Sequence, residues 1–273
     1  MNGDLAQLVT LAAYGNVYLA GEGGAPPDLT ESHTGFRYSR VNFVRYPKPY
    51  ADGIWNTLVI TNTADWYAQL RELGARNIWL VRRGDPVPQD IARHELVAFA
   101  GGGDWHLQVD YLDKSEGWSA GWEFVDTRGD RQGAYWNVTY ARVLIEGMPP
   151  VEKHDLGEME ARLRRALVEV ERFARANDEE GWADVFKREL DELDDAGNPQ
   201  KSDMLPEEGY SSEAHRLLSA AAGAWVFGGM GSWNDIYFPD EQVRADYGRV
   251  SAELYDAVVA SAVAATNSFG RPR

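Results

Sequence analysis

The spacing of apolar residues changes at Met148-Pro149-Pro150, and this change constrains the fold more than any other feature of the chain. Before it, large apolar residues alternate with polar ones, as in Trp105, Leu107, Val109 and Tyr111, and again in Trp136, Val138 and Tyr140. A period of two describes strands with one face buried. After it, Leu156, Met159, Leu163, Leu167, Val170 and Phe173 recur at steps of three and four, the stripe of an amphipathic helix. Proline lacks a backbone donor and pushes its predecessor out of the helical region, so the pair interrupts either pattern. The expected fold class is α+β. Residues 1–150 form an α+β domain with an antiparallel, aromatic-rich meander, and residues 151–273 form a four-helix bundle domain.

Local signals fill in the first half. A short helix is expected near 4–14, followed by a Gly/Pro loop. Strands are expected at 35–46, 56–61 (buried) and 77–82. Between the last two, Asn62 or Thr63 caps a helix carrying Trp66, Leu70 and Leu73, and Gly74 ends it left-handed. Four further strands, 96–100, 105–112, 118–126 and 134–144, are joined by polar turns that include 113–117 and 127–133. In the second half, three more helices carry Trp182 to Leu193, Ala214 to Trp225, and Val243 to Ala262.

Between the last two helices lies Gly228-Gly229-Met230-Gly231-Ser232-Trp233-Asn234-Asp235. Three glycines demand an unusual backbone path, since only glycine enters left-handed conformations without penalty. Gly228 and Gly229 are placed to end the third helix, Ser232 or Asn234 to cap a short turn, and Pro239 to start the fourth helix. With the helices around it, over residues 154–267, this turn resembles a group of short bacterial helical proteins of unknown function that carry a Gly-Gly-Met-Gly-Ser-aromatic-Asn-Asp turn. The resemblance implies a helical module of bacterial type and no activity.

Charge narrows the partners. The chain carries a net −16. Residues 1–150 hold 13 Lys/Arg against 18 Asp/Glu, and residues 151–273 hold 14 against 25. Such a field repels phosphate backbones, so nucleic acid is not an expected partner. No apolar run approaches the ~18 residues of a membrane span. The N-terminal residues lack the basic flank of a signal peptide, and the expected location is the cytoplasm. Oligomeric state is left open. Residues 178–195 hold nine acidic and two basic side chains. They form either a solvated helix face or a docking face for a basic protein.

Catalytic signatures are sparse. There is no cysteine, hence no thiolate chemistry. The five histidines form none of the spacings of a metal site, so neither metal nor cofactor is expected, and Asp155 beside His154 reads as a helix cap. No nucleophile elbow or phosphate-binding loop occurs. The leading reading is a non-catalytic interaction protein of immunity or inhibitor type, binding a basic effector. Its partner-binding residues would be Trp233, Asn234, Asp235, Asp178, Glu179, Glu180, Asp184 and Asp191. The alternative is a hydrolase, or a small-ligand or carbohydrate-binding protein, with a pocket in the aromatic meander; Asp104, His106 and Asp110 would be its acid-base groups.

Overall fold

The computed structural model describes residues 1, 3–21, 23–31, 33–37, 39–45, 58–82, 94, 105–125, 135–143, 151, 153–195, 202–228 and 230–270. The chain divides into two compact units. A sheet unit comprises Ala6–Arg83 and Trp105–Val151; a helical unit comprises Met1–Leu5, Gly84–Asp104 and Glu152–Arg273. The fold is α+β, with a six-stranded sheet and six helices among the described residues.

The sheet contains β1 (Ser39–Arg45), β2 (Leu58–Ile60), β3 (Asn77–Arg82), β4 (Trp105–Asp110), β5 (Ser115–Val125) and β6 (Tyr135–Val143). Their order is β2-β1-β6-β5-β4-β3. Strands β3 to β6 pair antiparallel in chain order, and β1 pairs antiparallel with β2. However, β1 pairs parallel with β6, Val41 opposite Val138 and Phe43 opposite Tyr140. The sheet is therefore mixed rather than wholly antiparallel. Alternation in sequence reports which face a side chain takes, and not which strand lies alongside. The expected strand 96–100 and turn 127–133 lie outside the described residues. The strand expected as buried at 56–61 is an edge, with Leu58 and Val59 about half exposed.

One face of the sheet is covered by α1 (Gly3–Ala20, from Ala6 within this unit) and α2 (Thr63–Glu72). Register places Val41, Phe43, Ile78, Leu80, Leu107, Val109, Trp118, Val138 and Tyr140 on this face, and all are buried. Phe43 stacks on Trp66 of α2 at 4.4 Å and on Tyr140 at 5.4 Å, while Trp118 meets Trp66 edge-on at 5.5 Å. Asn62 caps α2 by accepting from the Asp65 amide at 2.7 Å, and Gly74 (φ +81°) turns the chain after it. Leu73 lies past the last turn and is exposed.

Helix α1 runs six residues beyond its expected end. Gly15 and Asn16 weaken a helix in isolation. Here the Asn16 amide both donates to the Ile78 carbonyl and accepts its amide, each at 2.7 Å, joining α1 to the edge strand β3. Gly15 is required by proximity: a Cβ there would lie 2.5 Å from Ile78 Cδ1 and 2.7 Å from Tyr67 Cε1.

The helical unit contains α3 (Leu156–Ala176), α4 (Glu180–Asp194), α5 (Ser212–Gly223) and α6 (Glu241–Thr266). Asp155, Ser211 and Asp240 cap α3, α5 and α6 through accepted backbone hydrogen bonds. Helix α3 packs on α4 and α6, and α5 on α4 and α6. Leu163, Leu167, Val170, Phe186, Leu217, Leu218, Leu254 and Val258 fill the space between them. Helix α5 ends at Gly223, earlier than expected, so Gly228 and Gly229 do not terminate it. Trp225 lies outside the helix and donates to the Phe227 carbonyl at 2.9 Å.

Candidate functional site

The glycine-rich turn is organised by Trp233. Its indole is fully buried, donates to Ser251 Oγ at 2.7 Å, and touches the rings of Phe173, Trp182, Phe186 and Tyr247. Burying an indole removes some 150–250 Å² of largely apolar surface from water. The chain must double back to insert it. Gly231 makes the bend at φ +82°, where only glycine is unstrained. Ser232 then caps the 3-10 turn Trp233–Asp235, and the Asp235 carboxylate accepts from the Gly231 and Ser232 amides. Asn234 is half-buried and donates to the His94 carbonyl at 2.9 Å. Trp233 thus has no surface to offer a partner, and Asn234 is bound into the fold. What the turn presents outward is Asp235, Met230, which is fully exposed, and Tyr237, which is 75% exposed.

The same indole brings together two features distant in sequence. Trp182 in the first turn of α4 lies 5.8 Å from Trp233, and Phe173 in the last turn of α3 lies 5.4 Å from Phe238. The α3–α4 connection and the glycine-rich turn therefore share one end of the helical unit. At that end Asp178 and Glu180 are exposed, Glu179 is half-buried, and Asp235, Asp240 and Glu241 are exposed. Arg244 is occupied by the Phe238 and Pro239 carbonyls at 2.9 and 2.8 Å.

Further along α4 the acidic residues differ among themselves. Asp184 pairs with Arg175, Asp191 with Lys187, and Asp194 with Arg164. Glu189 is buried, and its burial holds its pKa above the usual carboxylate range. These residues contribute less unbalanced charge to the surface than Asp178, Glu179 and Glu180.

Of the acid-base residues expected at the meander, His106 and Asp110 do not converge. Asp104 lies outside the described residues. His106, Gln108 and Asp110 share the face of β4 opposite Leu107, with Gln108 between the other two. At the strand rise, His106 and Asp110 stand about 13 Å apart, beyond hydrogen-bond reach. Asp110 is engaged by Trp79 Nε1 at 2.7 Å, Gln108 Nε2 at 2.9 Å and Ser115 Oγ at 2.6 Å. Three donors hold this carboxylate in place, which suits a structural anchor better than a base. No group of three or more potential metal ligands forms among the described residues.

Two arrangements in this unit are not evident from sequence. Strand β5 begins at Ser115, inside the expected turn, which puts Glu116 on the covered face with Trp118. Its carboxylate accepts from Arg45 at 3.0 Å, Arg142 at 3.1 Å and Tyr111 Oη at 3.1 Å. Burial alone would raise the Glu116 pKa, but the two guanidinium groups outweigh it and hold the value below the usual range. A period-two reading begun at Glu116 would have exposed an inward charge in need of partners. The second is an open cleft of about 500 Å³ beside β1, whose polar lining includes Asp28, Glu31, Arg40, Asn42, Asn62 and Asn137. No sequence motif marks it, because its walls come from stretches far apart in the chain, near residues 28–42, 61–62, 125 and 137.

No helix among the described residues is long and apolar enough to cross a membrane. The chain matches no family model, no curated protein and no solved structure, and so takes no activity from a relative.

Proposed function

We propose that the chain is a non-catalytic protein-interaction protein that docks a basic protein partner, in the manner of an inhibitor or immunity protein. The supporting observation is the meeting, at one end of the helical unit, of Asp178, Glu179 and Glu180 with the turn that presents Asp235, Met230 and Tyr237. Exposed carboxylates around a tyrosine and a methionine suit a cationic partner: the charges steer its approach, and the apolar groups supply contact area. The separation of His106 from Asp110 weighs against the hydrolase alternative.

The test is capture of partners from lysate of the native host by the tagged full chain at ~50 and ~300 mM salt, which shortens the Debye length from roughly 14 to 6 Å. A basic protein retained near stoichiometry at low salt and weakened at high salt is the expected result. No specific partner at either salt would refute the proposal.

A further inference from the structure

Strand β1 is paired along one side and along only part of the other. Residues Ser39–Val44 pair with β6, whereas β2 reaches only Phe43–Arg45. Beyond Ile60 the chain leaves the ladder, and Asn62 caps α2 by accepting the Asp65 amide. Alternate residues of a strand turn both backbone groups to the same side, so two of the four residues Ser39–Asn42 direct an amide and a carbonyl away from β6. Among the described residues, no backbone hydrogen bond joins these four to residues 28–31 or 61–62 across the cleft.

The cleft follows this open edge. Ser39–Asn42 form one wall, and Asp28–Glu31 with Thr61 and Asn62 form the other. The far wall is anchored. The Leu29 amide donates to Thr63 Oγ1 at 2.7 Å, that hydroxyl donates to the Pro27 carbonyl at 3.1 Å, and the Leu29 side chain is buried. The space beside β1 is thus held open by bonds that tie the wall to the start of α2. The cleft continues over the face of the sheet that carries Arg40, Asn42 and Asn137, opposite to the face covered by the helices. There Asn42 Nδ2 donates to Asn137 Oδ1 at 2.9 Å, leaving the Asn137 amide nitrogen to donate and the Asn42 oxygen to accept.

An edge of donors and acceptors spaced at the strand repeat is matched by the main chain of another strand, and an edge left open is a template for such pairing. Four strand residues span about 10 Å, enough to hold a short extended segment. The charge of the two walls is divided. Arg40 stands on the β1 side. The far wall carries Asp28 and Glu31, both exposed and neither in an ion pair among the described residues, and no cation lines it. A side chain of an added strand that reaches this wall is favoured as a lysine or arginine. On the uncovered face, the Asn42–Asn137 pair offers one donor and one acceptor to a polar side chain. We propose that the open edge of β1 binds an extended peptide segment of a partner protein, which adds as a strand over Ser39–Asn42 and sets a lysine or arginine against Asp28 and Glu31. In this mode main-chain bonds supply affinity and the walls supply specificity. The site lies wholly within the sheet unit and is independent of the acidic end of the helical unit.

The experiment is selection of a pooled hexapeptide library on the immobilised full chain, then titration of the tightest peptide in solution by fluorescence polarisation. The retained peptides are expected to share a lysine or arginine at one position, and the tightest to bind with Kd below about 100 μM. Methylating alternate backbone amides of that peptide should weaken binding about tenfold or more in one of the two phases and little in the other, the mark of strand pairing. Asp28→Asn/Glu31→Gln should weaken binding by a similar factor. Glu169→Gln/Glu253→Gln, which removes two exposed carboxylates from the helical unit, should leave it unchanged. Melting curves of each variant separate loss of the site from loss of the fold. Absence of retained peptides overturns the inference, as do retained peptides without a shared basic position, equal sensitivity to methylation in both phases, or full affinity in the folded Asp28→Asn/Glu31→Gln variant. If that variant binds fully and Glu179→Lys/Glu180→Lys does not, the peptides dock on the helical unit and the strand assignment is wrong.

Discussion

Glu116 illustrates how one side chain can hold a sheet together and record pH. It is 2% exposed and shared by Arg45 of β1, Arg142 of β6 and Tyr111, so three segments meet on one carboxylate. Glu116→Gln removes the anion and leaves two guanidinium groups poorly compensated, a change that costs about 3–5 kcal/mol for buried pairs. Because the folded pKa lies below the usual value, the carboxylate's contribution is complete above the ordinary carboxylate range and is lost as pH falls through the folded value. Urea unfolding should show a large gap between wild type and Glu116→Gln at neutral pH that narrows in acid. A gap independent of pH would mean that the charge is not what stabilises the site. Gly15 makes the opposite kind of prediction. Alanine for glycine in an open helix stabilises by about 0.8–1.0 kcal/mol. At Gly15 the added Cβ meets the Tyr67 ring, which cannot retreat because its hydroxyl is tied to the Leu11 carbonyl at 2.9 Å. Gly15→Ala should therefore destabilise, by about 1–3 kcal/mol as for an overpacked core. A raised melting temperature would contradict this packing.

Among the elements, the turn that buries Trp233 holds the glycine-rich loop, α3, α4 and α6 in register. Trp233→Ala deletes the ring that Phe173, Trp182, Phe186 and Tyr247 surround, and should cost about 3–5 kcal/mol of stability by chemical denaturation. A loss under about 1 kcal/mol would mean that the turn is an ornament on a self-sufficient set of helices. Much at this scale is legible in the sequence. Asp155 caps its helix as the sequence predicts, and of the paired candidates Asn62/Thr63 and Ser232/Asn234 it is Asn62 and Ser232 that cap, because capping depends on neighbouring residues alone. The strands at 105–112, 118–126 and 134–144 are found within a few residues. What escapes is whatever depends on distant neighbours. Helix α1 survives Gly15 and Asn16 because β3 receives the Asn16 side chain. Glu116 is hidden in a turn-like Asp-Lys-Ser-Glu-Gly run whose strand character is imposed by pairing with β4. The parallel junction of β1 with β6 joins residues almost a hundred positions apart, and no local pattern encodes it. The candidate sites follow the same rule. The acidic run is visible as composition, but its proximity to the Trp233 turn depends on helix packing, and the cleft is invisible because residues far apart in the chain build it.

At the scale of the whole molecule, charge is distributed by unit as well as by residue. The last 123 residues carry most of the net −16, and ion pairs along α4 neutralise part of that locally. Where the α3–α4 connection meets the glycine-rich turn, Asp178, Glu180, Asp235, Asp240 and Glu241 are exposed carboxylates. Glu179 and Glu180 have no ion pair among the described residues, so replacing them tests the surface without dismantling the fold. The decisive measurement is the association rate of the captured partner with wild type and with the Glu179→Lys/Glu180→Lys variant, at low and moderate salt. The proposed docking surface predicts a slower association by about tenfold or more at low salt, a smaller difference at moderate salt, and unchanged melting of the variant. Equal association rates at both salts would show that the partner approaches elsewhere and that this end of the helical unit is not its docking surface.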